Sequence, residues 1–353
     1  MEHCLPHGSE TVGAAFSPVS ALPHRADGEQ RYQLSISLIV PVYNEEAGLA
    51  ELYRRVQAVM DTTEETWELI LVNDGSYDRS AAIIAALHSK DARVRGISFT
   101  RNFGFQIAVT AGMDAARGQA IALLDADLQD PPEVLPQMIA RWREGYDVVY
   151  GVRSSREGET WFKRATASLF YRLIRRITNI NIPLDTGDFR LMDRRVVDVI
   201  RQMPEHHRFL RGMVSWVGFR QTGVTYQRHA RFAGNTHFSV GKMARFALDA
   251  ITSFSYAPLR LASFIGFVVA ICSIIAIIGV IGMRLFDASQ PLLGQATTLV
   301  TVLFLGSVQL IGIGALGEYL GRIYDEVKGR PLYLVDQRWG FDEVQNRTER
   351  KAI

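Results

Sequence analysis

The chain has 353 residues, of which 48% are hydrophobic and 22% are charged, and its formal net charge is +2. The length predicts two or three structural units. The composition excludes a disordered, collagen-like or disulfide-scaffold protein, because two cysteines cannot build a disulfide framework. The small net charge argues against a general nucleic-acid binder, so we expect no nucleic-acid partner.

The first 32 residues contain no apolar stretch as long as the core of a signal peptide. They include His3, Cys4 and His7, three side chains of the kinds that bind metals. A chain terminus of this composition is more typical of a mobile segment than of a metal site. We therefore expect residues 1–32 to form a flexible N-terminal tail.

Residues 33–235 alternate between short apolar runs and segments with helical spacing. This alternation predicts an α/β domain whose mostly parallel sheet is covered on both faces. In such sheets, ligands bind beyond the carboxyl ends of the strands. The predicted strands are 35–41, 67–72, 93–99, 119–124 and 147–151, and the predicted helices are 46–60, 78–87, 105–116 and 134–143.

Polar side chains follow each of the five predicted strands, which predicts a site at that edge of the sheet. The loops read PVYNEE (41–46), NDGS (73–76), RNFG (101–104) and DADLQDPPE (125–133), and Arg153 follows the fifth strand. Asp74 is placed where a carboxylate could bind a ribose or a base edge. Asp125 and Asp127, two positions apart as the chain leaves a strand, can point to the same side.

Such a carboxylate pair suits Mg²⁺ or Mn²⁺ better than zinc, and Gln129 is placed to add a third oxygen. A divalent ion held there could bridge a diphosphate and stabilise a departing nucleoside diphosphate. An isolated D-x-D can also be a solvated turn. Its position after a buried strand, in register with the other polar loops, favours the metal site.

The mean hydropathy of +0.03 averages this domain with a much more apolar C-terminal part. Residues 261–283 carry no charge, and neither do residues 288–317. At about 1.5 Å per residue, each run can form a helix that crosses a hydrocarbon core about 30 Å thick. They predict a transmembrane hairpin at 259–320, with spans at about 261–283 and 297–317; the alternative is a pair of core helices in a soluble protein.

Lysine and arginine gather near the outer ends of this hairpin, whereas the short linker contributes Arg284. The positive-inside rule therefore predicts a multi-pass protein with its N-terminal domain and both termini in the cytoplasm, including a tail at 321–353. Residues 236–258 place apolar side chains on one helical side, which predicts an interfacial amphipathic helix. A helix of the globular core is the alternative for this segment.

The four loop motifs, in this order and spacing, resemble family 2 glycosyltransferases of the GT-A fold. Within that family, the chain is similar to the polyprenyl-phosphate glycosyltransferases, which include bactoprenol glucosyltransferases and dolichol-phosphate mannose synthases. The segments TGDFRLMDR (186–194) and RFAGNTHF (231–238), followed by a two-span hairpin, narrow the resemblance to this group. It covers about residues 34–340 and implies a Rossmann-like, mostly parallel GT-A domain joined to the interfacial helix and the hairpin.

The resemblance also implies roles for individual residues. The metal would be held by Asp125, Asp127 and Gln129, and Asp127 and Asp188 would be the catalytic carboxylates, with Asp188 on the acceptor side. His237 stands where relatives usually carry lysine, so its contact with phosphate would depend on pH. The donor nucleotide would contact Pro41, Tyr43, Asn44, Glu45, Asp74 and Asp125, and the lipid phosphate would contact Arg153, Arg164, Ser168, Arg231 and His237.

The expected reaction is the inverting, metal-dependent transfer of one hexose from a UDP-sugar to undecaprenyl phosphate at the cytoplasmic face of a bacterial inner membrane. Glucose is the commonest sugar for relatives of this size, with N-acetylglucosamine, galactose and mannose as alternatives. A flippase would move the product across the membrane for cell-surface glycan modification. The oligomeric state stays open, with a homotetramer packed through the hairpins as one arrangement.

The acceptor chemistry agrees with this expectation. A phosphate monoester has a second pKa of about 6, so it is largely dianionic at neutral pH and needs little deprotonation. Asp188 could then orient the acceptor or take up a residual proton. Arginines suit the harder task of bringing an anion up to an anionic donor.

Two other classes of protein share parts of this pattern. A processive polysaccharide synthase would share the fold and the D-x-D, but it usually carries a Q-x-x-R-W motif, and Val335 stands here where the glutamine would be. A catalytically inactive membrane scaffold is disfavoured by the intact carboxylate and arginine positions.

Overall fold

The computed structural model describes residues 34–154, 186–228, 255, 257–286 and 295–341. The predicted N-terminal tail and nearly all of the predicted interfacial segment lie outside these residues. The strands are β1 (Ile36–Val42), β2 (Trp67–Asn73), β3 (Val94–Phe99), β4 (Ala120–Leu123), β5 (Val148–Arg153), β6 (Thr186–Asp193), β7 (Gln221–Tyr226) and β8 (Val335–Trp339).

Helices follow most of the strands, as the alternating sequence pattern predicts. A short 3₁₀ turn (Pro132–Val134) leads into the fourth helix. The α-helices, in chain order, are α1 (Leu49–Met60), α2 (Ser80–Lys90), α3 (Phe105–Ala115), α4 (Leu135–Arg143), α5 (Arg194–Gln202), α6 (Leu210–Trp216), α7 (Ala257–Phe286) and α8 (Gln295–Lys328).

The strands form one eight-stranded sheet in the order β7-β5-β6-β4-β1-β2-β3-β8. β1 pairs in parallel with β2 and with β4, and β2 pairs in parallel with β3. β6 runs antiparallel between β4 and β5, so β5 and its parallel neighbour β7 point the same way as β1. The mostly parallel, Rossmann-like sheet confirms the predicted GT-A fold class and brings the carboxyl ends of six strands to one edge.

The core lies on both faces of the sheet, as expected for strands that are apolar throughout. Alternate residues of β1 point to opposite faces, with Leu38 and Val40 in one apolar cluster and Ile39 in the other. The first cluster is covered by α1, α2 and α4, and the second by α3, α5 and α6. Helices therefore cover both faces of the sheet whose strand ends carry the polar loops.

A buried ion pair lies near the amino end of β2, away from the polar loops. Glu68 is 1% exposed and accepts hydrogen bonds from the Ser37 hydroxyl at 2.7 Å and from Nη1 of Arg95 at 2.9 Å. Arg117 donates to the same carboxylate from its backbone nitrogen at 2.8 Å and from Nε at 3.1 Å. Because all its oxygens have donors, this buried carboxylate is satisfied.

Residues up to 341, within the segment predicted as a C-terminal tail at 321–353, continue the last long helix and add a strand to the sheet. α8 continues to Lys328, and β8 then pairs antiparallel with β3 at the edge of the sheet. Trp339 packs so closely on β3 that a Cβ at Gly96 would lie 2.4 Å from its ring. The catalytic sheet is therefore completed by residues from the far end of the chain.

The end of α8 is also attached to the α/β domain through two histidines. The ring of His206 lies with Nδ1 2.8 Å from Oε2 of Glu326 and with Nε2 2.8 Å from the carbonyl oxygen of Arg330. His207 lies 3.2 Å from a carboxylate oxygen of Asp325. The pair therefore joins the loop between α5 and α6 to the end of α8.

α7 and α8 pack against each other, and the Tyr319 hydroxyl donates to the Ser255 carbonyl at 2.6 Å. By length and composition, one stretch within the described residues, Phe304–Lys328, is apolar enough to cross a membrane, and Leu259–Ile275 is a shorter apolar helix. Side chains along both helices are exposed and apolar, for example Phe267 and Leu310. The predicted hairpin of two spans remains a prediction.

Candidate active site

The loops after β1 and β2 are fastened to each other by reciprocal hydrogen bonds. The backbone nitrogen of Asn44 donates to the Ser76 hydroxyl at 2.9 Å, and the backbone nitrogen of Tyr77 donates to Oδ1 of Asn44 at 3.1 Å. The backbone nitrogen of Glu45 donates to the Ser80 hydroxyl at 3.2 Å. Asn44 adopts a φ of 56°, a conformation that few residues other than glycine adopt.

Two tyrosines are exposed on this pair of loops. The rings of Tyr43 and Tyr77 meet edge to face, with centroids 6.1 Å apart, and are 45% and 85% exposed. Pro41, by contrast, lies inside β1 and is buried. Of the predicted donor-binding residues in the first loop, Tyr43 therefore offers the most open surface, and Tyr77 lies beside it without having been predicted from the sequence.

Asp74 fixes the loop that follows β3. Its carboxylate accepts from the backbone nitrogen of Phe103 at 2.7 Å and from that of Gly104 at 3.0 Å. Burial raises the pKa of Asp74, and these two backbone bonds oppose the rise. The next residue, Gly75, has a φ of +64°, and a Cβ there would lie 2.3 Å from the backbone of Arg101. Its contacts make Asp74 a brace between loops; its predicted contact with the donor remains a prediction.

The loop after β4 carries the D-x-D pair. The backbone nitrogen of Gln129 donates to Oδ1 of Asp127 at 3.1 Å, which closes a tight turn. Leu128, between them, is buried and has a φ of 59°. A second residue with positive φ thus lies at the predicted site, where unusual backbone conformations often occur.

Several carboxylates converge at this loop. Burial raises the pKa of Asp125 to about 8, reinforced by the negative charges of Asp130, Asp188 and Asp127, while Arg153 opposes the rise. Such a concentration of negative charge favours a divalent cation.

Within the described parts of the chain, no three His, Cys, Asp or Glu side chains are arranged to hold a metal ion by themselves. Mg²⁺ commonly takes one or two carboxylates and completes its coordination with substrate phosphates. Asp125 and Asp127 fit that pattern, because they supply hard oxygen ligands of the right charge.

Asp188 lies on β6 in a bidentate pair with an arginine of α6. Nε of Arg211 donates to Oδ1 and Nη2 donates to Oδ2, both at 2.8 Å. A second guanidinium, that of Arg190, lies 3.8 Å from Oδ1. Burial acts to raise the pKa of Asp188, but the hydrogen bonds and charge of Arg211, with Arg190 and Arg153, hold it below its usual range. Asp188 is therefore a stable carboxylate.

Arg153 ends β5 beside a buried tyrosine and a buried aspartate. Its Nε donates to the Tyr226 hydroxyl at 3.4 Å, and Nη2 lies 3.7 Å from Oδ2 of Asp130. The Tyr226 hydroxyl donates to Oδ1 of Asp130. Burial and the charge of Asp130 raise the pKa of Tyr226, which keeps its hydroxyl protonated as a donor.

The structure brings Asp127, Asp188 and Arg153 close enough to Asp125 for their charges to act on it, and the roles predicted for these residues remain predictions. Arg164, Ser168, Arg231 and His237 lie outside the described residues. Sequence reasoning did not assign roles to Arg211, Asp130 or Tyr226. Asp130 stands within the DADLQDPPE motif and Arg211 within a basic stretch, but which carboxylate each basic residue meets depends on the packing of α6 and β7 against the sheet.

The model of glycosyl transferase family 2 matches residues 37–201. An uncharacterized glycosyltransferase of Bacillus subtilis (strain 168), YkcC, is 50% identical over 309 residues, which cover 88% of this chain and 95% of that protein. The chain belongs to glycosyl transferase family 2. It is a glycosyltransferase, and the family match confirms the resemblance on which the predictions rest.

Other relatives carry more specific names. The SfII prophage-derived bactoprenol glucosyl transferase of Shigella flexneri is 45% identical over 303 residues, covering 86% of this chain and 97% of that protein. Among solved structures, glucosyl-3-phosphoglycerate synthase from Mycobacterium tuberculosis, in complex with Mn²⁺, UDP and glucosyl-3-phosphoglycerate, is 18% identical. It has a TM-score of 0.45, covering 63% of this chain and 80% of that chain.

Proposed function

We propose that this glycosyltransferase moves a single hexose from a UDP-sugar to undecaprenyl phosphate, with inversion at the anomeric carbon. Glucose is the proposed sugar, because the Shigella flexneri relative at 45% identity is named as a bactoprenol glucosyl transferase. The product would be carried across the inner membrane by a flippase for modification of a surface glycan.

The observation that carries the proposal is the meeting of carboxylates and arginines at one edge of the sheet. Asp125 lies close enough to Asp188 and Arg153 for their charges to shift its pKa. Carboxylates suit a divalent cation with a diphosphate, whereas arginines bind phosphate oxygens and stay charged. A site with both groups suits a reaction between two substrates that each carry phosphate.

In the proposed reaction, a phosphate oxygen of the acceptor attacks C1 of the hexose. The C1–O bond to the donor diphosphate breaks, and UDP departs with the bonding electrons. When bound, Mg²⁺ or Mn²⁺ supplies charge stabilisation of the departing diphosphate. Asp125 and Asp127 would hold that ion.

Asp188 would act without removing a proton. The acceptor is already largely dianionic at neutral pH, and the low pKa of Asp188 makes it a weak base. We propose that Asp188 orients the acceptor through its arginines, and that Arg153, Arg164, Ser168, Arg231 and His237 face the lipid phosphate. Tyr43 and its neighbours would hold the nucleotide.

An acceptor with a polyprenyl chain requires a membrane next to the site. The apolar stretch Phe304–Lys328 and the exposed apolar side chains of α7 and α8 support this arrangement. We propose that both helices span the inner membrane and that the α/β domain and both termini are cytoplasmic. Residues 236–258 would lie along the membrane surface.

A donor screen tests the proposal. Purified full-length protein would be given each of UDP-glucose, UDP-N-acetylglucosamine, UDP-galactose and a nucleotide-mannose, with a short polyprenyl phosphate and Mg²⁺, Mn²⁺ or a chelator. We expect acceptor-dependent release of UDP from UDP-glucose, abolished by the chelator. Polymer formed without lipid phosphate would indicate a processive synthase, and no release with any donor would indicate a scaffold.

A further inference from the structure

A second group of charged residues lies beside the carboxylates of the D-x-D loop. We call it the Asp130 cluster, and it consists of Asp130, Arg153, Tyr226 and Arg228. Asp130 is 1% exposed and lies just after the D-x-D pair. Arg153 and Tyr226 are directly opposite each other in the parallel pairing of β5 with β7. Side chains from two neighbouring strands and one loop therefore lie close together here.

Two guanidiniums face the single carboxylate of Asp130. Nη2 of Arg153 lies 3.7 Å from Oδ2, and Nε of Arg228 lies 3.7 Å from Oδ1. Both distances are too long for hydrogen bonds. The Tyr226 hydroxyl is the group that donates to Asp130 directly. Both arginines are therefore held near the carboxylate by charge rather than by hydrogen bonds to it.

The hydrogen-bonding capacity of this cluster is incomplete. Within residues 34–154 and 186–228, neither Oδ2 of Asp130 nor Nε of Arg228 has a hydrogen-bond partner, although both atoms are buried. A buried polar group without a partner is destabilising, because it has lost its hydrogen bonds to water. A ligand with several acceptor oxygens would satisfy Arg228 and leave Arg153 to approach Asp130 or the same ligand.

The cluster also lies next to Asp188. A Cβ at Gly187 would lie 2.5 Å from Nη2 of Arg153, so this arginine crosses the strand at the residue before Asp188. The charge of Arg153 contributes to the low pKa of Asp188. The Asp130 cluster contains two guanidiniums and one carboxylate, and it adjoins the carboxylates of the D-x-D loop. An anion bound there would lie beside the carboxylate assigned to the acceptor side.

We propose that Arg228 binds the phosphate of the acceptor together with Arg153, and that Asp130 is a positioning residue that keeps the two guanidiniums together. Tyr226 locks the rotamer of Asp130 through its hydroxyl hydrogen bond. The inference rests on the proposed function, since it names further residues for the same acceptor. The inference gives a role to Asp130, a buried aspartate that the proposed metal site does not require.

The test is the Michaelis constant for a short polyprenyl phosphate, measured with Asp130→Asn and Arg228→Gln. We expect each to raise the acceptor KM by about tenfold or more, while the KM for the UDP-sugar changes by less than about twofold. The acceptor KM of the double variant should rise by less than the product of the two single-variant increases, because both substitutions act on one contact. Arg228→Lys should recover part of the loss, since it restores the charge without the planar guanidinium.

Glu68→Gln is the matched control, because Glu68 is also a buried carboxylate between two arginines. It lies near the amino end of β2, whereas the Asp130 cluster lies at the carboxyl ends of the parallel strands. This substitution should lower thermal stability and leave the acceptor KM unchanged. Tyr226→Phe covers the case in which Asp130→Asn fails to fold, since it removes only the hydroxyl. We expect a rise of about threefold in the acceptor KM for that variant.

The outcomes separate the two proposals. No transfer by the wild-type protein to any polyprenyl phosphate would overturn the proposed function. Transfer by the wild-type protein, with an acceptor KM unchanged in both Arg228→Gln and Tyr226→Phe, would overturn the assignment of the Asp130 cluster alone. A parallel rise in donor and acceptor KM would also count against it, since it would indicate general disruption.

Discussion

Arg211 and Asp188 form a bidentate ion pair between α6 and β6, with both nitrogen–oxygen distances at 2.8 Å. Two parallel hydrogen bonds of this kind fix the plane of the carboxylate as well as its charge. The pair therefore keeps Asp188 ionised and in one orientation despite its burial. Arg211 is a positioning residue for that carboxylate.

Replacing Arg211 by methionine should change the pH dependence of the reaction. Without the guanidinium, burial would raise the pKa of Asp188, so the carboxylate would take up a proton as the pH falls. We expect the acceptor kcat/KM of Arg211→Met to fall more steeply toward acid pH than that of the wild type, whose own decline follows protonation of the acceptor phosphate near its second pKa of about 6. Measuring both from pH 5.5 to about 8 provides the test.

Arg211→Lys is the matched control, because it keeps the charge but loses the two-point contact. Its profile should lie between those of the wild type and Arg211→Met. Identical profiles for all three proteins would mean that the ionisation of Asp188 is irrelevant to turnover.

Asp127→Asn should abolish metal-dependent turnover without unfolding the protein. The amide keeps the size of the side chain and can still accept from the backbone nitrogen of Gln129, but it removes the negative charge proposed to hold the cation. UDP release should fall by at least about a thousandfold, with the thermal unfolding midpoint near that of the wild type. Full turnover by this variant at ordinary metal concentrations would contradict the metal assignment.

Glu68→Gln should lower the free energy of unfolding by about 3 kcal/mol, because it leaves the buried guanidinium of Arg95 without its counter-charge. Burial acts to raise the pKa of Glu68, but Ser37, Arg95 and Arg117 together lower it. The stabilisation is therefore present above the pKa of the unfolded chain and is lost as the pH falls through the folded value. Denaturant unfolding at pH 7 and at pH 4 provides the test. The free energy of unfolding should differ less between the variant and the wild type at the lower pH.

The attachment of α8 to the catalytic domain should weaken at alkaline pH. The carboxylate of Glu326 and the carbonyl of Arg330 both accept from the ring of His206, which raises the pKa of His206 above its ordinary value of 6.5. The stabilisation is thus complete below that value and is lost as the pH rises through the higher folded pKa.

His206→Gln serves as the comparison, since glutamine can keep a hydrogen bond but cannot take a charge. The wild type should lose thermal stability between about pH 6.5 and pH 8.5 relative to this variant. Parallel curves over that range would show that the charge on His206 does not contribute.

The first five strands could be placed from the sequence to within about two residues, because each is a continuous apolar run that ends at a polar loop. β8 could not be placed in this way. Its residues are mostly polar, and its pairing with β3 joins Trp339 to Gly96, far apart in the chain. An edge strand that is buried on one side carries little of the apolar pattern on which such predictions depend.

The candidate site, like the fold, could be predicted only in part from the sequence. Loops that follow parallel strands must meet, so the proximity of Asp125 to Arg153 could be expected. Asp188 lies on the antiparallel strand β6, and only the family resemblance indicated that it belongs to the site. The hydrogen-bond partners of these side chains could not be predicted, because Arg211 reaches Asp188 from a helix whose position is set by packing on the sheet. Nor does a motif reveal that Asp74 would bind the backbone of a neighbouring loop.

β8 follows both apolar helices in the chain, so the ribosome makes it after them. Synthesis proceeds from the amino terminus, and domains usually fold as soon as their residues have emerged. Here the edge next to β3 stays unpaired until α7 and α8 have been made and the chain has returned to the sheet. Folding of the catalytic domain therefore cannot finish before both apolar helices have left the ribosome, which orders enzyme maturation after the insertion step that we propose for those helices.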